Sequence, residues 1–101
     1  MITPELLDRF SAEFTKDLYM VREYRNLSMG KYCAVGFLAH LYLEEHTSSK
    51  SYMCVCRYIE EELNGLRDSG SPSISFVNDK QGYDAVMELI AKIRHLGEQT
   101  E

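Results

Sequence analysis

The 101-residue sequence contains no tryptophan, only two prolines and six glycines, and no long uncharged run. The shortage of Pro and Gly excludes collagen-like and low-complexity chains. With 45% hydrophobic and 27% charged residues, the composition is that of a folded globular protein rather than a disordered one. The longest stretch with little charge, Tyr32 to Leu43, falls short of the ~20 apolar residues that a membrane span requires. Met1-Ile2-Thr3-Pro4-Glu5 lacks the basic start and apolar run of a secretion signal, so a cytoplasmic location is expected. Basic charge is also scarce: 11 Lys plus Arg stand against 16 Asp plus Glu, for a net charge of -5. A groove that tracks phosphates needs the opposite sign, which disfavours direct nucleic-acid binding. Three cysteines, an odd number, point to reduced thiols rather than a disulfide frame.

The length suits a single domain, and the punctuation divides it into four stretches of helical length. Thr3 is a natural N-cap and Pro4 a natural first helical residue. Leu6, Leu7, Phe10, Phe14, Leu18, Val21 and Tyr24 recur at spacings of three and four, which predicts a first helix reaching Tyr24, with Asn26 to Met29 as the following turn. From Met29 to Glu45 the apolar residues Tyr32, Val35, Phe37, Leu38, Leu41, Tyr42 and Leu43 surround the helix axis, the pattern of a buried central helix. Thr47-Ser48-Ser49 reads as a connection and cap. Tyr52, Val55, Cys56, Ile59, Leu63 and Leu66 share one face of a third helix, ending near Asn64-Gly65 or Gly70. A loop, Ser69 to Ser73, precedes Ile74-Ser75-Phe76-Val77, which reads as extended. Asn78 and Asp79 then cap a last helix carrying Tyr83, Val86, Met87, Leu89, Ile90, Ile93 and Leu96, with Gly97 as its stop. The expected fold is a small all-α, four-helix domain around a buried central helix, with a short extended segment before the last helix.

Gly30-Lys31-Tyr32-Cys33-Ala34-Val35-Gly36-Phe37-Leu38 and Ile74-Ser75-Phe76-Val77-Asn78-Asp79, leading to Val86 and Leu89, resemble a group of small uncharacterised helical proteins from bacteria and their phages. In that group a Cys-Ala-x-Gly-x-Leu helix precedes an Asn-Asp turn and a final helix. The chain has Tyr32 and Val77 where the group tends to carry Trp. The resemblance spans residues 30 to 93 and implies a helical fold and a phage-like origin. It carries no active site.

No catalytic constellation stands out. Cys33 and His40 lie on one stripe of the central helix, but seven residues separate them by about 10 Å along its axis, too far for a hydrogen bond that activates the thiol. Core packing explains Cys33, and close approach of another element explains Gly36. Cys54 and Cys56 with His40 and His46 make a candidate zinc set, yet helical positions two apart diverge by ~200°. That geometry buries Cys56 and leaves Cys54 near the surface. Asp17, among Phe10, Phe14 and Val21, is expected at the edge of the core, held by backbone N–H groups or an Arg.

No enzyme activity, metal or cofactor is expected. The densest negative charges are Glu44, Glu45, Glu60, Glu61, Glu62 and Asp68. They read either as solvated helix faces or as an acidic patch for a basic channel. Seven tyrosines supply amphipathic anchors. The expected partner-binding residues are Glu60, Glu61, Asp68, Tyr19, Arg22 and Tyr58, and the expected partner is a larger protein or complex with a basic surface. A phage-encoded inhibitor of a nucleic-acid-handling complex, such as an anti-CRISPR protein, is one reading. A thiol- or zinc-dependent regulatory domain is the other.

Overall fold

The computed structural model describes residues 2–46, 49–66 and 70–99. The first helix, α1 (Pro4–Glu13), starts as the sequence dictates, with Thr3 Oγ1 accepting the Leu6 N–H at 3.1 Å and Pro4 in the first turn. It buries Leu6, Leu7 and Phe10 and then stops, because Phe14 adopts an extended conformation while its ring remains in the core. The expected continuation to Tyr24 is absent. Instead a 3₁₀ turn (Lys16–Leu18) leads into an extended segment and a small antiparallel hairpin of β1 (Arg25–Asn26) and β2 (Lys31–Tyr32). Leu18 and Tyr24 still pack on the core, so their helical spacing reports burial and not helix. Backbone bonds remote in sequence replace those of the helix: Met20 N–H donates to Tyr32 O at 3.0 Å and Cys33 N–H to Tyr24 O at 3.0 Å. The expected turn forms the hairpin tip, where Asn26 Oδ1 accepts the Met29 N–H and Gly30 takes a positive φ of 66°. Asp17 sits on the 3₁₀ turn, exposed, which corrects its expected place at the core edge.

The central helix, α2 (Ala34–Glu45), begins five residues later than Met29, because those residues build the hairpin. Ala34 to Ala39 and Leu41 are all buried, as expected of a helix apolar around its whole circumference. The third helix, α3 (Tyr52–Leu66), runs past Asn64-Gly65 and buries Val55, Cys56, Ile59 and Leu63. Ser51 Oγ accepts the Cys54 N–H at its start, while Thr47 and Ser48 of the expected connection lie outside the described residues.

The expected extended segment is a helical turn, α4 (Ile74–Phe76), followed by a π turn (Val77–Gln81). Ser73 Oγ caps it by accepting the Phe76 N–H, and Asn64 Oδ1 accepts the Ile74 N–H at 3.1 Å. This conformation lets Ile74 and Val77, three apart, both enter the core. Gly82, at a φ of 96°, turns the chain into α5 (Tyr83–Gln99), which passes through Gly97 without stopping. α2 packs against α1 and α3, and α5 lies along α1. Phe10, Phe14, Phe37 and Tyr83 form an aromatic cluster at their junction, with centroids 4.8 Å apart for Phe10 and Phe14 and 5.2 Å for Phe14 and Phe37. Burying each phenylalanine contributes about 1.5 to 3 kcal/mol. Four helices of two or more turns stand in the expected order, the first cut short at Glu13, with the hairpin before α2 and the π turn before α5.

Candidate functional site: a groove between hairpin, third helix and π turn

An open groove of about 900 Å³ lies between the hairpin, the third helix and the π turn. One wall is the bend Arg22 to Tyr24 with Arg25 of β1, the second is α3 with Tyr52, Met53 and Glu60, and the third is Ser75, Asn78 and Asp79. Cys33 and Val35, at the start of α2, also line it.

Asn78 holds these walls together. Its side chain is 2% exposed; Oδ1 accepts the Ala34 N–H at 3.0 Å, and Nδ2 donates to Met20 O at 3.0 Å. The sequence pattern makes Asn78 a cap for the last helix, but in the fold it caps α2 from 44 residues away. The reason lies in Cys33, whose Sγ accepts the Gly36 N–H at 3.4 Å and leaves other first-turn N–H groups to be satisfied. Tyr19 O–H donates to Asn78 O, and its ring meets Phe14 and Tyr83. Asp79 Oδ1 accepts the Arg22 N–H at 3.1 Å. That bond holds Arg22 at a φ of 75°, a left-handed conformation costing a non-glycine residue on the order of 1 kcal/mol.

Gly36 brings the second wall close. A Cβ there would lie 1.7 Å from Tyr24 O and 2.9 Å from the Tyr52 hydroxyl, so only glycine admits both. Tyr52 O–H donates to Gly36 O at 2.8 Å, and the Arg25 guanidinium lies 3.6 Å from the centre of the Tyr52 ring. Tyr24 O–H donates to Glu60 Oε1 at 3.2 Å, tying the strand to α3. Burial is the main force raising both phenols, with Glu60 adding to the effect on Tyr24 and Cys56 to that on Tyr52.

The thiols are quiet. Burial pushes Cys33 up to about 11, against the Gly36 N–H that favours its thiolate, and pushes Cys56 up to about 11, against Tyr52. Both stay protonated at neutral pH, so neither supplies a thiolate nucleophile. Cys54 is exposed and Cys56 is buried, so the two side chains of the candidate zinc set diverge as helix geometry demands. Among the described residues, no group of three or more His, Cys, Asp or Glu side chains is placed to hold a metal ion. His40 instead meets Tyr32 and Phe37 and lies 3.5 Å from Glu44.

The chain matches no family model, no curated protein and no solved structure. Its own geometry is therefore what bears on function.

The expected partner-binding residues divide between two faces. Arg22 and Glu60 meet in the groove. Glu61 and Tyr58 are exposed, and helical phase carries Tyr58 ~160° around α3 from Glu60. Tyr58 sits beside Tyr42 at 6.2 Å. Tyr19 is half-buried with its hydroxyl committed to Asn78, so it supports the groove from behind and does not stand on the surface. Asp68 lies outside the described residues. Arg25, Tyr24, Tyr52, Met53 and Asp79 belong to the groove although nothing in the sequence marks them as site residues. The nearest signal is Asn26 and Gly30 between short Arg- and Lys-bearing segments, a hairpin pattern overridden by the helical spacing around it. Among the described residues, no helix is long and apolar enough to cross a membrane.

Proposed function

We propose that this chain is a non-enzymatic protein-binding module that docks through the groove on a larger protein. The observation that carries the reading is the groove itself: open, about 900 Å³ in volume, and walled by side chains fixed through internal hydrogen bonds. Preorganised walls lower the ordering cost that a binding surface otherwise incurs. Met53 is 50% exposed at its edge and gives a partner apolar area to cover. The net charge of -5 favours a partner with a basic surface, which steers encounter. Combined with the resemblance to bacterial and phage proteins, that charge supports the most specific form of the proposal. In that form the chain is a phage-encoded inhibitor, of the anti-CRISPR kind, seated on a nucleic-acid-handling complex.

Capture of partners from the native host with the wild-type chain and with Met53→Arg tests the reading. Met53 is exposed, so the variant keeps its fold, and circular dichroism checks this. A partner retained by the wild type and lost by the variant supports docking in the groove. Equal retention by both removes the groove from the interaction.

A further inference from the structure

The hydrogen-bond pattern of the hairpin leaves one of its edges open. β1 and β2 place Arg25 opposite Tyr32 and Asn26 opposite Lys31, and the Cys33 N–H donates to Tyr24 O at 3.0 Å. Hydrogen-bonded and non-hydrogen-bonded pairs alternate along an antiparallel ladder. The bond at Tyr24 therefore makes Arg25 and Tyr32 a non-hydrogen-bonded pair, whose backbone groups point outward from the two strands. On the β2 side the outward edge is taken: Tyr32 O accepts the Met20 N–H at 3.0 Å, and Tyr19 bridges Tyr32 in parallel. On the β1 side it is not. Among the described residues, neither the N–H nor the C=O of Arg25 has a hydrogen-bond partner, and Glu23, two positions earlier, engages none through its backbone. Both residues line the groove.

We infer that the groove takes an extended, Lys- or Arg-bearing segment of the protein partner, which adds to β1 as a further strand through the N–H and C=O of Arg25. This deepens, and rests on, the proposed docking in the groove. Strand addition draws affinity from main-chain hydrogen bonds and specificity from what the alternate side chains meet. Arg25 is preset for it, since its guanidinium lies on the Tyr52 ring and the bonds of Tyr24 and Asn26 on either side hold its backbone in the strand. An edge this short, with charged residues along it, resists indiscriminate pairing, so recognition depends on the walls beyond it. Those walls include Tyr52, Met53 and Glu60 of α3 and Asp79 of the π turn. Three carboxylates, Glu23, Glu60 and Asp79, stand against two guanidiniums, Arg22 and Arg25, which leaves the groove acidic by one charge. Each carboxylate keeps lone pairs for a cationic side chain, so basic residues on the added segment find acceptors there.

Amide hydrogen exchange on the full chain, joined to selection of displayed random dodecapeptides, is the test. In the free protein the Arg25 N–H should exchange faster than those of Asn26 and Cys33, which are bonded across the hairpin. Enriched peptides should carry Lys or Arg, should lose binding to Met53→Arg, and at saturation should slow exchange at Arg25 roughly tenfold or more. N-methylation of such a peptide should weaken binding roughly tenfold at the amide that donates to Arg25 O, and should leave the two neighbouring amides, which point away from β1, nearly unaffected. An Arg25 amide as slow as Asn26 in the free protein would show the edge to be closed and overturn the inference. So would an Arg25 amide left unprotected by bound peptide, N-methyl effects without the alternation, or groove-binding peptides that lack basic residues; each of these leaves the groove as a docking site. Enriched peptides indifferent to Met53→Arg, or no enriched peptide at all, would overturn both.

Discussion

Asn78→Ala tests the linchpin of the fold. The truncation removes the acceptor for the Ala34 N–H and the donor for the Met20 carbonyl, bonds of 3.0 Å each. Ala34 is fully buried, so water cannot take over its N–H, whereas Met20 is half-buried and recovers in part. An orphaned buried polar group costs about 1 to 3 kcal/mol, which puts the sum near 3 kcal/mol. For a chain of this size that corresponds to a fall in Tm of about 12 to 24 °C. Urea unfolding followed by circular dichroism measures it, with an unchanged m value showing that the loss lies in native contacts. Asn78→Asp keeps the acceptor at the helix start, where negative charge is favoured, but loses the donor and sets a second carboxylate beside Asp79, so its loss should be intermediate. A cost below about 0.5 kcal/mol for Asn78→Ala would refute the argument that this side chain joins the three walls of the groove.

Gly36→Ala should cost about 3 kcal/mol or more and abolish the near-ultraviolet signature of packed tyrosines, because the obstructing atoms include backbone of Tyr24 that cannot rotate away. Asp17→Ala should change stability by less than about 0.5 kcal/mol in the same urea assay, since the side chain is exposed. A thiol reagent should label Cys54 in the native protein and reach Cys33 and Cys56 only on unfolding. Because Cys33 is raised from 9.0 to about 11 in the folded state, its contribution is present in full below pH 9 and is lost as pH rises through 11. That contribution is about 3 kcal/mol, so unfolding titrations from pH 8 to 11 should show a shallower decline in Cys33→Ala than in the wild type. Glu61→Lys should slow association with a basic partner at low salt without disturbing the groove, whereas Glu60→Gln should act through its bond to Tyr24. Stopped-flow rates for the captured partner distinguish the two.

About half of the candidate site is legible in the amino-acid sequence. Arg22 and Glu60 stand out there, Cys33 and Cys56 read as core residues, and the glycine inside the apolar central helix, Gly36, announces a close approach. Arg25 and Tyr52 do not stand out, since a guanidinium and a phenol 27 positions apart give no sign in sequence that they will stack. Asp79 reads as a cap for the last helix and instead holds the Arg22 N–H, because capping residues announce that an N–H will be satisfied but not which one.

Periodic burial by itself determined the extent of α3, the all-round burial of α2 and the apolar face of α5, because i, i+3 and i+4 contacts arise from the helix's own geometry. The same logic fails between Phe14 and Tyr32, and between Ile74 and Gln81 a run that reads as extended is a helical turn and a π turn. In the first segment the periodicity of buried residues is real, but the backbone finds its hydrogen bonds elsewhere, Tyr24 O with Cys33 N–H and Met20 O with Asn78; in the second the backbone bonds locally, Val77 N–H to Ser73 O, while Asn64 fixes its start by accepting the Ile74 N–H. Tertiary structure decided the first stretch and the start of the second, since those partners lie 9 to 58 residues away and no local pattern encodes them. The groove is built where those two stretches meet α3.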